Sequence, residues 1–471
     1  MFRQQHTNIW KKRVIAIKSS VELNKLKNQE NYVDLPMMLE AREKRVQRQD
    51  ELLRDCSCLV CFTMNIAGPY KISPCIERAF AEGMIKITHL LQQNGINAEK
   101  SIRITEKTGV EGYIALQQNP LDIKRLMVQI EDNFVLGRLF DIDVIKPNGE
   151  KVSRADIGMN GRNCMICGSE GSACARSRRH SVEELQNHFI KTICDYFNDS
   201  YAGYLAQQGT KALMYEVAVT PKPGLVDRAD NGSHTDMNFF TFINSSTALY
   251  EYFKCCALKA VEFSDKTPQV LFENLRYLGL EAENRMYRNT MGVNTHKGAI
   301  FSFGLIIAAT AYLSENGRDI TAENILSTCA QMAQLSLEDF ENSKVHQSFG
   351  KQIFVQHKIK GIRGQAAEGY PAVKPAFALL KECLKKQNSF DEAGAKTLCL
   401  LMSQLEDTNV IKRSDIETLK LMQHRAKNII ESENFMEEFA ELNDEFVKLN
   451  ISHGGCADLL AICFLLYFIS E

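Results

Sequence analysis

The chain has little net charge and no long hydrophobic run. Its 56 Lys and Arg residues nearly balance its 58 Asp and Glu residues, which leaves a formal net charge of −2. So small a charge creates no long-range attraction for nucleic acid, and we expect no nucleic-acid partner. The longest apolar stretch, residues 459–469, is too short to cross a bilayer and predicts a buried helix. Near the N-terminus only residues 14–17 are continuously apolar, so we expect neither a signal peptide nor a membrane partner.

Cysteine, by contrast, is plentiful. The 15 cysteines are odd in number and scattered along the chain. In a chain of this size without a signal peptide, that pattern is typical of reduced thiols in the cytoplasm. The 471 residues are too many for one ordinary core and favour two or three domains. The sequence contains no internal repeat and no low-complexity segment.

The sequence changes character near residue 180. Before this point, short β-like runs alternate with turns. Residues 140–145, a Pro-Asn-Gly turn and residues 151–153 together predict a hairpin. A charged helix is predicted over residues 37–53, and its basic stretch at residues 40–49 suits either solvent or an acidic partner protein.

After residue 180, helical periodicity dominates. Capping boxes are predicted at residues 181–184 and 414–417, and the second one leads a long helix to residue 430. We therefore predict an α/β domain over residues 1–182 and an all-α domain over residues 183–471.

An Asp-x-Asp pair lies on the first strand of the predicted hairpin. Asp141 and Asp143 share one face because alternate side chains of a strand point the same way. Two parallel carboxylates suit Mg²⁺, which can hold a triphosphate and stabilise departing pyrophosphate. Arg138, just before the pair, is a candidate for substrate binding. The alternative is a half-exposed strand with two solvated acids.

Three cysteines and a histidine follow the hairpin. Cys164, Cys167, Cys174 and His180 have a spacing that could bind Zn²⁺. Arginines interleave with them, so a phosphate-binding loop is equally consistent with the sequence. Unliganded thiols are the third possibility, which we favour slightly because the spacing is not that of a standard zinc finger.

In the second half, reactive residues concentrate in four segments: residues 216–236, 292–299, 361–366 and 452–458. Glycine-rich loops that open helices are natural anion sites, although many are merely caps. Together the segments supply cations for phosphate groups and acids for Mg²⁺ or proton transfer. The cations are Lys222, Arg228, Lys297 and Arg363, and the acids are Asp227, Asp236 and Asp458. The sequence has neither a Walker loop nor a Rossmann fingerprint, which predicts an uncommon helical site for phosphates.

The first half resembles the holo-acyl-carrier-protein synthase of citrate lyase. The resemblance rests on LPMMLEARE from Leu35, NIAGPYK from Asn65, GRLFDIDV, and CMICGSEGSACARSRRHSVEEL from Cys164. It implies a nucleotidyltransferase-like fold that moves a phosphoribosyl-dephospho-coenzyme A unit onto a serine of the citrate lyase acyl carrier protein and releases pyrophosphate. Asp141 and Asp143 would then be catalytic and bind Mg²⁺.

The second half is similar to the triphosphoribosyl-dephospho-coenzyme A synthase family. The matching segments are TPKPGLVDRADNGSHTDM, GVNTHKGAIFSFG, GIRGQAAEGYP and SHGGCADLLA, although we expect a proline where His453 stands. The family implies attack by the 2′-hydroxyl of dephospho-coenzyme A on the ribose C1 of ATP, with loss of adenine. Asp227 and Asp236 would bind Mg²⁺ or act as the base, while Lys222 and Lys297 would bind phosphates.

The two resemblances describe consecutive steps of one pathway, so the sequence predicts a bifunctional enzyme. Two alternatives stay open at this point. Malonate decarboxylase uses the same prosthetic group, and an equivalent enzyme would serve it. A zinc-containing nucleic-acid-binding protein is the alternative from another class, although the balanced charge argues against it.

Overall fold

The structure is a computed structural model that describes residues 19–341 and 349–470. It contains two compact units, of which the first ends at Asn198 and the second begins at Asp199. This division falls inside one continuous helix, Val182–Ala218, whereas the sequence analysis places the domain limit at the start of that helix.

An antiparallel sheet forms the centre of the first unit. Its strands are β1 (Cys58–Met64), β2 (Lys100–Glu106), β3 (Gly109–Leu116) and β4 (Phe140–Ile145), in the order β2-β3-β1-β4. Phe62 of β1 lies opposite Gly112 of β3 on one side and Ile142 of β4 on the other. The nucleotidyltransferase-like character of this unit stays a prediction.

Among the residues that the structure describes, six α-helices belong wholly or partly to the first unit. They are α1 (Ser19–Leu26), α2 (Leu35–Leu53), α3 (Pro74–Gln93), α4 (Pro120–Asn133), α5 (Gly171–Arg176) and the beginning of α6 (Val182–Ala218). Helix α3 carries buried apolar residues at helical spacing, and its Phe80 ring stacks on Phe62 with the centroids 4.5 Å apart. The opposite face of the sheet packs against Leu53 at the end of α2. The sheet therefore has apolar cover on both faces.

The described part of the second unit is helical and contains no strand. After the end of α6 it comprises α7 (Phe239–Ala248), α8 (Tyr250–Glu262), α9 (Pro268–Asn289), α10 (Lys297–Glu315), α11 (Ala322–Glu341), α12 (Phe349–His357), α13 (Gly361–Ala367), α14 (Val373–Lys385), α15 (Phe390–Gln404), α16 (Thr408–Arg413), α17 (Ile416–Ile429), α18 (Phe435–Lys448) and α19 (Gly454–Ser470).

Two of these helices are strongly apolar. Helix α10 could cross a membrane by length and composition, but 89% of its apolar window is buried inside the protein. Helix α19 is shorter, and its residues 459–466 are all buried, so the predicted buried helix near the C-terminus is confirmed. Burial on all sides explains why both helices are apolar around their whole circumference.

Local signals in the sequence gave mixed results. The hairpin is confirmed, since the Val152 N–H donates to the Val144 carbonyl at 2.8 Å. The capping box before α6 is also confirmed, because the Ser181 and Glu184 side chains each accept the other's backbone N–H. The capping box predicted at residues 414–417 is wrong. Asp415, not Ser414, caps α17 by accepting the Thr418 N–H at 2.7 Å, since a carboxylate one residue later reaches the free donor.

Candidate active sites

A cavity of about 740 Å³ lies within the second unit. Its walls come from the end of α6, the loop after it, and the starts of α10, α13, α16 and α19. Each of the four sequence segments singled out for reactive residues contributes to this wall. The fold thus gathers segments that are more than two hundred residues apart around one space.

Buried ionisable groups concentrate in this cavity. Glu216, Lys222, Asp407 and Asp458 all line it, and the first three are at most 3% exposed. The Lys222 ammonium donates to Glu216 in a buried ion pair. Burial raises the pKa of the Glu216 carboxyl, and Lys222 acts against that rise. Taking so many charges out of water is costly, which makes the cluster a candidate functional site.

Two of these acids bind the N-terminal ends of helices. Asp407 accepts the Cys456 N–H at the start of α19 at 3.0 Å, and Asp458 accepts the Ala299 N–H at the start of α10. Burial raises the pKa of Asp458 well above its usual range, and the nearby Glu216 and Asp407 carboxylates raise it further. The helix ends hold these carboxylates in place, but they do not fully compensate the concentrated negative charge.

Gly298 allows Asp458 to approach α10. A Cβ atom on Gly298 would lie 2.1 Å from Asp458 Oδ2. This separation is far shorter than a van der Waals contact, so any larger residue would displace the carboxylate. Gly298 therefore allows the Asp458 carboxylate to pack closely against α10. The sequence around Gly298 does not reveal this role.

Asp227 has a different position from the one expected. Its carboxylate accepts the backbone N–H groups of Lys222, Ala229 and Asp230 at 2.6–3.2 Å, and it is not among the cavity-lining residues. This arrangement ties the two ends of the Lys222 loop together. It favours a positioning role for Asp227, because the accepted hydrogen bonds occupy both carboxylate oxygens.

His296 is a buried residue of the cavity wall that the sequence analysis did not select. Thr295 Oγ1 donates to Ser245 Oγ at 2.7 Å, and Ser245 Oγ lies 2.7 Å from His296 Nδ1. Since Ser245 accepts from Thr295, its own hydrogen is available for Nδ1, an arrangement that favours the tautomer with the imidazole hydrogen on Nε2. Nε2 is buried and has no hydrogen-bond partner. Burial, and the charge of Lys222, lower the pKa of His296 to about 3, so the ring is neutral near pH 7.

His234 and Asp236 lie at the more open side of the cavity. His234 Nε2 is 2.9 Å from Ser452 Oγ, and its Nδ1 is 3.2 Å from an Arg413 nitrogen. Burial and the Arg413 charge lower the pKa of His234 to about 4. The Asp236 side chain is exposed and lies 3.8 Å from the same imidazole. Asp236 is thus accessible to a metal ion that accompanies a phosphate group.

The remaining predicted cations have separate places. Lys297 lines the cavity and pairs with Glu283 at 2.7 Å. Arg228 pairs with Asp391 at 2.6 Å and does not line the cavity. Arg363 lines a smaller cavity of about 190 Å³, although Ile362 beside it faces the large one. The structure therefore brings Lys222 and Lys297 to one site, but not the two arginines.

The Asp-x-Asp pair of the first unit lies on β4, as expected. Phe140, Ile142 and Val144 enter the core, while Asp141 and Asp143 share the opposite face. Burial and the neighbouring Asp143 carboxylate raise the pKa of Asp141. Asp143 pairs with Lys151 of the hairpin at 2.5 Å. The pair is consequently a concentrated acidic site, whose charge is opposed by Lys151 and Arg162.

A second cavity, of about 930 Å³, lies within the first unit. Arg138, Arg162 and Arg178 contribute to its wall, together with the cysteine-rich segment. Arg162 donates to the Phe140 carbonyl at 2.7 Å, and its charge lowers the pKa of Asp141. The cavity therefore combines arginines suited to phosphate groups with an edge close to the Asp-x-Asp strand.

Two arginines in the basic stretch of α2 form ion pairs within the first unit. Arg45 donates to Glu111 through two nitrogens at 2.9 and 2.7 Å, and Arg48 reaches Glu111 at 3.2 Å and Glu106 at 2.9 Å. Glu111 is buried on β3. These arginines attach the helix to the sheet, which argues against a docking role for Arg45 and Arg48. The interpretation of the basic stretch as a surface for an acidic partner stays a prediction.

Comparison with known proteins assigns both halves. Residues 33–196 match the CitX family, described as apo-citrate lyase phosphoribosyl-dephospho-CoA transferase, and residues 202–471 match the CitG family, described as ATP:dephospho-CoA triphosphoribosyl transferase. The chain is 31% identical to Protein CitXG of Haemophilus influenzae over 93% of this chain and 96% of the relative. The chain belongs to the fused CitXG family.

Other relatives agree with this assignment. Protein CitXG of Leuconostoc mesenteroides is 30% identical over 92% of this chain and 97% of its own. A Streptococcus mutans protein named "Probable 2-(5''-triphosphoribosyl)-3'-dephosphocoenzyme-A synthase" is 34% identical and covers 57% of this chain and 96% of its own.

As a CitXG-family member, the chain is a bifunctional transferase of citrate lyase prosthetic-group synthesis. It makes 2′-(5″-triphosphoribosyl)-3′-dephospho-CoA from ATP and dephospho-CoA with release of adenine. It then transfers the phosphoribosyl-dephospho-CoA unit to the citrate lyase acyl carrier protein with release of pyrophosphate. The alternatives in malonate decarboxylase and nucleic-acid binding gain no support from these matches.

Three buried cavity residues escaped the sequence analysis: Glu216, Asp407 and His296. Glu216 stands at the edge of a singled-out segment, and His296 lies inside one. For Glu216 and His296, a polar side chain next to an apolar run was the signal that could have indicated a buried polar residue. Asp407 precedes a short helix and looks like an ordinary N-cap, so nothing local distinguishes it.

Proposed function

We propose that the 740 Å³ cavity is the site where dephospho-CoA displaces adenine from ATP. The observation that carries this proposal is the convergence of Glu216, Lys222, Asp407 and Asp458 on one cavity. A reaction between a triphosphate and a second nucleotide needs both fixed acids and a phosphate-holding cation site. The exposed Asp236 and Lys297 lie on the same wall and extend the site toward solvent.

The proposed proton acceptor is Glu216. In this step the 2′-oxygen of dephospho-CoA bonds to ribose C1 of ATP, and the bond from C1 to adenine breaks. The hydroxyl proton is lost and adenine gains one, so a carboxyl group that takes and returns a proton satisfies the balance. Burial raises the pKa of Glu216, and Lys222 fixes its orientation. The negative carboxylate also stabilises positive charge on the ribose.

Mg²⁺ is the cation that we propose for the triphosphate. The donor set fits it, because Asp458 offers a hard oxygen ligand, and burial beside Glu216 and Asp407 raises its pKa. Asp407 adds negative charge next to this site, while its two oxygens accept the Asn409 and Cys456 N–H groups. Asp236 supplies a further exposed carboxylate on the same wall. Bound there, Mg²⁺ would neutralise phosphate charge. Lys297 would hold phosphate oxygens, whereas Lys222 holds Glu216.

His296 is proposed as a hydrogen-bond donor to the substrate. Its Nε2–H is buried, without a partner and on the cavity wall. A neutral imidazole donor fits an adenine nitrogen or a phosphate oxygen at little desolvation cost. The Thr295–Ser245 chain keeps the donor tautomer in place.

The second reaction is proposed for the first unit. Asp141 and Asp143 would hold Mg²⁺ at departing pyrophosphate, and the donor chemistry fits because burial and the neighbouring Asp143 carboxylate raise the pKa of Asp141. Arg138 and Arg162 would bind phosphate groups in the 930 Å³ cavity. We also propose that the first unit has a nucleotidyltransferase-like fold and that the protein is cytoplasmic. Zn²⁺ is the metal proposed for the Cys164–His180 cluster.

The decisive experiment for the helical site is an adenine-release assay with ATP, dephospho-CoA and Mg²⁺. Glu216→Gln should lower the rate by at least about a hundredfold, as loss of a general base does. Glu323→Gln changes an exposed acid of α11 and should leave the rate unchanged. Both variants should still load apo-carrier protein from preformed triphosphoribosyl-dephospho-CoA. Full adenine release by Glu216→Gln would reject this residue as the proton acceptor.

A further inference from the structure

The cysteine-rich segment brings four metal-binding side chains to one point. Cys164, Cys167, Cys174 and His180 each place one ligand atom so that all four atoms lie within 4.8 Å of one another. The chain between the first and the last ligand contains a tight turn and the short helix α5. The convergence is therefore produced by the fold of the segment and not by neighbouring sequence positions alone.

The separation of two of these sulfur atoms suits a tetrahedral zinc site. Zinc–sulfur bonds are about 2.3 Å long, so two thiolates of a tetrahedron lie about 3.8 Å apart. The sulfur atoms of Cys167 and Cys174 are 3.8 Å apart. A disulfide would need them about 2.05 Å apart, and three thiols cannot all be paired.

The first two cysteines lie in a turn that presents thiolates. The Ile166 N–H points to Cys164 Sγ at 3.5 Å, and the Gly168 N–H donates to the Cys164 carbonyl at 3.1 Å. Gly168 has φ +69°, a left-handed conformation that favours glycine. Ser169 Oγ lies 2.9 Å from Cys167 Sγ. Backbone and hydroxyl donors around sulfur support a metal-bound thiolate.

The fourth ligand is also in place. His180 immediately precedes the capping box of Ser181 and Glu184, which fixes the start of α6. His180 Nε2 is buried and has no hydrogen-bond partner. An imidazole nitrogen in that state is unsatisfied without a further group beside it.

The segment also buries little apolar surface, since its only apolar anchors among the described core contacts are the partly buried Ile157 and Met165. Between residues 153 and 180 the one buried residue is Cys174. Small segments of this kind usually need a disulfide or a metal to keep one conformation. A metal at the four-ligand cluster would supply this constraint.

We infer that Cys164, Cys167, Cys174 and His180 form a structural Zn²⁺ site. Four protein ligands leave no open coordination position, which distinguishes a structural from a catalytic zinc site. The metal holds the turn, α5 and the start of α6 together. Since Arg162 and Arg178 of the same segment line the 930 Å³ cavity, the zinc site keeps that wall in shape.

The first test is metal content of the full chain. Protein expressed with zinc and purified without chelators should contain about one zinc per chain, while Cys167→Ser and Cys174→Ser should fall below about 0.1. Cys255→Ser removes an exposed cysteine of the second unit and should retain full zinc. His180→Ala should lose zinc and His180→Cys should keep it, since four thiolates also bind zinc tetrahedrally.

A second measurement does not depend on stable variants. Exchange of Co²⁺ into the wild-type chain should produce the intense visible bands of a tetrahedral cobalt site and the near-ultraviolet thiolate charge-transfer band. Chelation should remove both, unmask three additional reactive thiols and slow carrier-protein loading, with adenine release unchanged. Zinc-free wild-type protein, or an octahedral Co²⁺ spectrum, would overturn the proposal. Recovery of a Cys167–Cys174 disulfide in freshly purified wild type would also overturn it.

Discussion

At the scale of single residues, the properties of the helical site follow from the burial of its carboxyl groups away from water. Glu216, Asp407 and Asp458 belong to three separate segments, yet all three line the same cavity with little exposure to solvent. Burial raises the pKa of Glu216 and of Asp458. Lys222 opposes the first rise, and the Ala299 N–H at the start of α10 opposes the second. Chemistry here follows from the surroundings of each carboxyl more than from its residue type.

The approach of Asp458 to α10 gives a residue-scale prediction. Gly298→Ala should displace the Asp458 carboxylate and lower adenine release by on the order of a hundredfold, because small displacements in active sites are costly. Carrier-protein loading from preformed substrate should not change. Gly279→Ala, in helix α9, is the matched control, since its new Cβ would meet nothing closer than 3.8 Å. Equal adenine release by the two variants would show that Asp458 tolerates displacement.

His453 gives a pH prediction. It is fully buried, stacks on Phe446 with the centroids 5.1 Å apart, and burial lowers its pKa to about 4 despite the nearby Asp407. The unfolded chain has the higher histidine pKa of about 6.5, so it binds more protons than the folded chain between pH 6.5 and 4. Stability should fall as the pH drops through this window, by up to about 1.4 kcal/mol per pH unit from this group.

Denaturation midpoints at pH 7 and pH 5 test this expectation. His453→Phe keeps a stacked ring without a titrating nitrogen, so its stability should fall less than that of the wild type over the same pH range. Identical pH dependence of the two proteins would assign the acid sensitivity to other groups, of which the buried His296 is the first candidate.

At the scale of secondary-structure elements, α2 shows how a charged helix can be structural. The interaction of Arg45 and Arg48 with buried Glu111 converts an apparently solvated face into an attachment to β3. Truncating one partner of such a group leaves a buried charge unpaired. The side chains of Arg45 and Arg48 are 30% and 25% exposed, so solvent weakens the effect of either one alone.

We expect Arg45→Glu combined with Arg48→Glu to destabilise the first unit by on the order of 3 kcal/mol, because the two new glutamates, Glu106 and Glu111 are four acids that then face one another. Arg42→Glu, on an exposed position of the same helix, should change stability by less than about 0.5 kcal/mol. Urea unfolding of both variants gives the comparison. A stable double variant whose only defect is slower, salt-dependent carrier loading would restore α2 as a docking surface.

Local elements were predictable from the sequence, whereas the partners of their side chains were not. The β4 strand and its hairpin follow from alternation and a Pro-Asn-Gly turn, which act within a few residues. The Asp407 contact with α19 and the Glu111 contact with α2 join residues 49 and 66 positions apart. Sequence periodicity carries no information on such pairs, so the cavity lining required the folded chain.

At the scale of the whole molecule, two consecutive reactions occupy two units of one chain. The candidate residues for adenine release belong to the second unit, and those for carrier-protein loading belong to the first. Each reaction should therefore be separable by substitution. This separation would also show whether the intermediate passes through solution.

The final prediction combines one variant of each unit. Asp141→Asn should lower carrier loading by at least about a hundredfold and keep adenine release, since one metal-binding carboxylate is worth several kcal/mol in the transition state. Glu216→Gln should have the opposite effect. A mixture of the two proteins with ATP, dephospho-CoA, Mg²⁺ and apo-carrier protein should form holo-carrier protein, because triphosphoribosyl-dephospho-CoA made by the first can reach the second. Loss of both activities in Asp141→Asn would contradict the division of labour. Failure of the mixture, with each remaining activity intact, would instead show that the intermediate must stay with the chain that makes it.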